Sequence, residues 1–131
     1  MTLVADTSVW SDLIRKKPGA HVEQLRSLLS AGHEVVVGDI IAVELLRGFK
    51  PGRMLRAAEI IVEEYGRAEM VGFDRATRAA GLYRAPRRNG RTVRNSNDAP
   101  IASYCIDESL PLLCVDRDFD GYVEHFGLRR V

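Results

Sequence analysis

Cysteine is scarce: the chain of 131 residues holds two, Cys105 and Cys114, and they form no C-x-x-C pair. That excludes a disulfide scaffold or a thiolate zinc knot, and the apolar neighbours of both mark them as reduced core residues. Long apolar runs are missing too. None exceeds four residues, far short of a membrane span. No basic leader opens the chain, and an acid already stands at position six, so the expected compartment is the cytoplasm. The three histidines, His21, His33 and His125, are isolated from one another and expected at the surface, which argues against a histidine-based zinc site. Nor is there an excess of one charge: 19 basic and 18 acidic residues leave +1, so global charge does not point to nucleic acid. Linkers, internal repeats and low-complexity tracts are absent, so residues 1–131 are expected to form a single domain, large enough to bury a core without staples.

Short β-rich runs alternate with helical patterns, which predicts an α/β fold: a central, mostly parallel sheet flanked by helices. The expected strands are Leu3–Ala5, Glu34–Val37, Ala68–Val71 and Leu112–Val115, with an edge strand over Leu128–Val131. Thr7 and Ser8 are placed to cap a helix carrying Val9, Trp10, Leu13 and Ile14. Further helices are expected over His21–Ala31, from Asp39 to Gly48, over Arg53–Tyr65, from Asp74 to about Pro86, from Asp98 onward, and over Phe119–Phe126. The polar segment Pro86–Asn97 reads as a loop or a frayed helix end.

The acids carry the chemical information. Asp6 is expected at the end of the first strand, Asp116 at the end of the fourth, and Asp98 at the start of the helix leading into it. Open parallel sheets bind ligands beyond the carboxyl ends of their strands. Glu44 lies inside the otherwise apolar stretch Ile40–Leu46, where a carboxylate is costly unless paired, metal-bound or turned to solvent. Taken singly, each has a plain structural reading: Asp98 as a helix cap, Asp6 as a turn acceptor, Glu44 as a solvated side chain. Taken together, four converging carboxylates would repel one another. A hard, oxygen-seeking cation such as Mg²⁺ removes that conflict. Asp118, two residues past Asp116, is expected instead to cap the short helix that follows.

Four segments bear a resemblance. Val4-Ala5-Asp6-Thr7-Ser8-Val9-Trp10, Glu44-Leu45-Leu46-Arg47-Gly48, Asn97-Asp98-Ala99-Pro100-Ile101-Ala102 and Leu113-Cys114-Val115-Asp116-Arg117-Asp118-Phe119 resemble, in this order, the four acidic motifs of PIN domains. The sequence is most similar to the small ribonuclease toxins of VapBC-type pairs, and the likeness covers essentially the whole chain. It implies a Mg²⁺-dependent endoribonuclease, with Mn²⁺ as the alternative ion, silenced by a cognate antitoxin protein and often a homodimer. Asp6, Glu44, Asp98 and Asp116 match the family's acidic quartet, as catalytic residues and metal ligands. The chain departs from the common family pattern at Cys114, often threonine, and at Ser103, often alanine.

An acidic pocket that accepts RNA needs cations at its rim. Between Arg75 and Asn97 there are seven arginines and no acid. Arg87, Arg88 and Arg91 in that stretch, with Arg15 and Arg47, are the expected RNA contacts. Ile40, Ile41, Leu45, Leu46, Phe49, Leu55, Ile60, Ile61 and Val62 outnumber what two short helices cover, so a symmetric dimer is expected, with an antitoxin segment near Trp10 and Leu13. Two rivals remain. A phosphoacceptor receiver domain wants a late lysine, and the three lysines here are all early. A non-catalytic binding domain would use the acids as caps and the arginines for an acidic partner.

Overall fold

A computed structural model of the protein describes the backbone of residues 1–88 and 97–131, and the side chains of 1–84 and 97–131. Its centre is a sheet of four parallel strands in the order β3-β2-β1-β4. These are β1 (Thr2–Ala5), β2 (Glu34–Gly38), β3 (Gly66–Ala68) and β4 (Leu112–Leu113). Seven α-helices are seen among the described residues: α1 (Thr7–Ile14), α2 (Ala20–Ser30), α3 (Asp39–Arg47), α4 (Arg53–Tyr65), α5 (Phe73–Arg88), α6 (Asp98–Asp107) and α7 (Asp120–Phe126). A 3₁₀ turn, Arg117–Phe119, joins β4 to α7.

The strand sequences explain the layering. Leu3, Val4 and Ala5 are all fully buried, and so, nearly, are Val35, Val36 and Val37. A strand that is apolar at consecutive positions must be covered on both faces, and helices packed on a parallel sheet provide that cover. The register aligns Leu3 with Val35 and Val4 with Leu112, so the two apolar triplets and β4 form one continuous layer. Each large side chain removed from water there contributes about 1.5–3 kcal/mol. At the end of β2, the side chain of buried Met70 occupies the space that a Cβ at Gly38 would take, so any larger residue there would have to displace it.

Several boundaries differ from the sequence-based expectation. The cap position of α1 is Asp6, not Thr7 or Ser8, whose hydroxyls turn to acids instead. Strand β3 begins at Gly66, two residues earlier than expected, and ends at Ala68; beyond it the Met70 amide donates to Asp39 Oδ1 at 2.8 Å. Helix α5 continues past Pro86 to Arg88, since a proline costs a helix one amide bond without necessarily ending it. The expected loop beyond lies largely outside the described residues. Strand β4 is only two residues long, and Val115 is 47% exposed rather than buried. The final segment makes an isolated bridge, Arg130 to Leu112, in place of a strand.

The expected apolar surplus of α3 and α4 is also smaller than it looked. Ile41, Leu45 and Phe49 belong to the core, and Trp10 is fully buried against Tyr65, with ring centroids 5.3 Å apart. Both cysteines are buried and unbridged, as expected. His21 is half-buried rather than free at the surface, with Nε2 2.8 Å from Asp12 Oδ2.

Candidate metal centre

The strand order reverses direction at β1: the chain steps outward to β2 and β3, then returns to pair β4 on the other side. At such a switch point the loops leaving two neighbouring strands diverge and leave a crevice. The loops here carry Asp6, immediately after β1, and Asp116 and Asp118, just after β4. Helix α6 brings Asp98 to the same end.

Asp6 is 6% exposed. Its amide donates to Leu113 O at 2.9 Å, which fixes it to the neighbouring strand. Its Oδ2 accepts from the Ser8 hydroxyl at 3.3 Å. Burial, reinforced by the charges of Glu44 and Asp116, pushes its pKa up to about 6 despite hydrogen bonds from Thr7 and Ser8 that favour the charged form. Glu44, half-buried on α3, accepts from the Thr7 hydroxyl at 3.0 Å. Thr7 therefore ties the acid of α3 to the end of β1.

Asp98 lies in the first turn of α6 rather than at its cap, which is Asn97. It is 3% exposed, and its Oδ2 has no hydrogen-bond partner among the described residues. Burial, then the charges of Asp6, Asp116, Asp118 and Glu44, push its pKa up to about 8. One carboxylate oxygen from each of Asp98, Asp116 and Asp118 lies within 4.8 Å of the other two. An all-oxygen donor set with an orphaned buried oxygen fits a hard cation and does not suit a soft one.

Of the two acids after β4, Asp116 stays in the cluster as expected and also takes the capping role expected of Asp118. Asp116 caps the 3₁₀ turn, accepting from the Asp118 amide on Oδ1 at 2.9 Å, while the cap position of α7 is Phe119 and has no side-chain cap. Asp118 is freed from capping and joins the cluster. Sequence reasoning missed it there, although two acids at i and i+2 around a tight turn are a usable signal for a shared ligand. Below the cluster Tyr122 is fully buried, and its pKa is pushed to about 12 by burial and by Asp98 and Asp118.

The arginines are divided. Arg15 sits 4.8 Å over the Phe49 ring and donates to Gly48 O at 3.3 Å, so it clasps the end of α3. Arg47 is exposed in the last turn of α3. The side chains of Arg87 and Arg88, and all of Arg91, lie outside the described residues.

The sequence profile of the PIN domain matches residues 3–124. The chain belongs to the PIN domain family. Among curated relatives, a VapC ribonuclease of Mycobacterium bovis and ribonuclease VapC11 of Mycobacterium tuberculosis are each 31% identical over 119 residues, 90% of this chain and 89% of theirs. The fold is shared with solved structures. A chain of VapBC2 from Rickettsia felis, bound to a promoter DNA fragment, superposes with a TM-score of 0.72 over 100% of this chain and 98% of its own, at 18% identity. VapBC-1 from nontypeable Haemophilus influenzae gives 0.70 at 18% identity, covering 100% and 97%. The PIN profile spans all four acidic segments, so the cluster at the end of β1 and β4 sits inside the family's domain.

Proposed function

We propose that this PIN domain protein is a Mg²⁺-dependent endoribonuclease, with Mn²⁺ as an alternative ion, acting in the cytoplasm as the toxin of a toxin–antitoxin pair. The observation that carries the reading is the convergence of Asp98, Asp116 and Asp118, with Asp6 and Glu44 beside them, at the switch point of the sheet. Curated VapC ribonucleases with 31% identity support the substrate class. No helix among the described residues is long and apolar enough to cross a membrane.

Asp98, Asp116 and Asp118 would hold the ion directly, and Asp6 and Glu44 would complete its surroundings. When bound, such an ion supplies positive charge against the phosphodiester and makes water a better nucleophile near neutral pH. The chain's own groups do the rest. Ser8 and Thr7 hold Asp6 and Glu44 in place, and the burial that raises the proton affinity of Asp98 means that ion binding would compete with protonation there. Arg87, Arg88 and Arg91, with exposed Arg47, are proposed to neutralise RNA phosphates at the rim. Arg15 is a weaker candidate for that work, because its guanidinium is already engaged. The protein partner is a cognate antitoxin, and a homodimer is part of the proposal, since Val43 on α3 and Met54 and Ile60 on α4 remain in solvent.

The test is cleavage of RNA by the purified chain with Mg²⁺, with Mn²⁺ and after chelation. Cleavage that needs the ion and disappears in Asp6→Asn supports the reading; ion-independent cleavage, or none, removes it. In the same samples, replacing Arg87, Arg88 and Arg91 together should flatten the salt dependence of RNA binding. An unchanged slope would release those residues from the RNA.

A further inference from the structure

The acidic turn is gripped from behind by a residue of the segment that follows α7. Gly127, in the left-handed region at φ 79°, reverses the chain, and Arg130 then lies alongside Leu112 of β4. Its guanidinium makes three contacts around the turn. Nε donates to Cys114 Sγ at 3.4 Å, and Nη2 donates to the Asp116 carbonyl at 3.0 Å. Nη1 lies 2.9 Å from Asp120 Oδ1.

We propose that Arg130 is a positioning residue for the metal centre: its fork fixes the backbone of residues 116–118 so that Asp116 and Asp118 stay directed at Asp98. The inference rests on the reading of the cluster as a cation site. Three carboxylates this close repel one another, and the repulsion acts to open the turn. The bond from the Asp118 amide to Asp116 ties the turn to itself, as does the Phe119 amide on the Asp116 carbonyl at 3.4 Å. Neither anchors the turn to the sheet. Arg130 does, because its own backbone is held by β4: Val131 N donates to Leu112 O at 3.0 Å, and Leu112 N donates to Arg129 O at 2.9 Å. A guanidinium can serve a sulfur, a carbonyl and a carboxylate at once in a planar fork, whereas an ammonium cannot reproduce that geometry. Its positive charge also lies close to the turn without occupying the space among the three acids.

The experiment is a Mn²⁺ titration of the full chain without RNA, followed by electron paramagnetic resonance of the free ion. Arg130→Met is expected to weaken Mn²⁺ binding by about 10-fold or more, the usual effect of removing an outer support of metal ligands. Arg130→Lys should recover part of that loss, and Arg129→Ala, which removes a bond to the Ser109 carbonyl, should keep the parental affinity. In cleavage assays the Arg130 variants should need more metal for half-maximal rate while approaching the parental rate at saturation. Parental Mn²⁺ affinity in Arg130→Met would overturn the proposal. If that variant does not fold, Arg130→Lys decides: weakened binding in a folded protein supports the fork, and parental binding overturns it. A parent chain that binds no Mn²⁺ would overturn the metal-centre reading itself.

Discussion

Helix α6 carries acids at both ends, and the fold treats the two ends in opposite ways. At its C-terminal end, Asp107 and Glu108 face arginines of α5. Arg75 lies 3.2 Å from Asp107 and 2.7 Å from Glu108, and Arg78 lies 2.8 Å from Asp107. Arg75 also stacks 4.8 Å over the Tyr104 ring. At the first turn Asp98 faces other acids and is buried among them. The difference separates two uses of a carboxylate. Paired with arginine on a half-exposed flank, it fastens one helix to another. Packed against further carboxylates in a crevice, it raises the energy of the empty fold and creates affinity for a cation. Two of the seven arginines that look like a basic patch in the sequence are spent in the first way.

The sharpest break of this comparison is Asp98→Asn. It should abolish ion-dependent RNA cleavage, a loss of at least about 100-fold given how much charge stabilisation such sites supply. The fold should survive, because the substitution removes a buried charge and no bond to Oδ2. Retained cleavage would place Asp98 with the structural acids.

Next in size is the pH response of the metal-free protein. The folded values of about 6 for Asp6 and about 8 for Asp98 both lie above the ordinary 3.8 of an aspartate. The folded state therefore binds these protons more tightly than the unfolded chain does, and stability falls as pH rises from about 4 through 8. Urea midpoints in chelator should decline over that range, and Asp98→Asn should flatten the decline. Added Mn²⁺ should restore stability most at the alkaline end, with proton release on binding. A midpoint that rises with pH in chelator would contradict the electrostatics of the cluster.

Asp116 and Asp118 should differ by less. Asp116→Ala loses a ligand and a cap, so cleavage should fall and stability should drop by roughly 0.5–2 kcal/mol. Asp118→Ala should reduce cleavage with stability unchanged or slightly raised, since it removes repulsion and no cap. Cleavage rates beside urea midpoints distinguish the two.

The smallest effect belongs to the other end of α6. Asp107→Asn should cost about 0.2–1 kcal/mol, as half-exposed ion pairs do, and leave cleavage at the parental rate. Impaired cleavage there would mean that the flank and the crevice are coupled.

Much of this is legible in the sequence. Consecutive apolar residues at 3–5 and 35–37 signal strands covered on both faces, and an acid directly after such a run falls at a carboxyl end, which places Asp6; Asp98 is legible instead from its position at the start of the helix that leads into β4. The failures are instructive. Hydroxyls at 7 and 8 look like caps, but a helix start leaves them a choice of acceptors, and the nearby acids of β1 and α3 won. The run 112–115 looks like one strand because all four residues are apolar, yet only Leu112 and Leu113 have partners in the ladder. With the strand two residues shorter, the turn takes its cap from Asp116, and Asp118 joins Asp116 in the cluster. Arg130 was invisible because its three contacts depend on where the last segment folds back, which no local pattern encodes.

The order of the strands bears on how the protein is made. Val4 pairs with Leu112, more than a hundred positions later in the chain. Asp6 emerges early in synthesis, Asp98 late, and the turn at 116–118 later still. A ribosome-bound fragment can form β1, β2 and the helices between them, but it has no crevice until β4 docks. Long-range pairing of this kind is slow to form and comes after local structure. The acidic crevice is therefore incomplete until residues 112–118 have been made and have docked against β1.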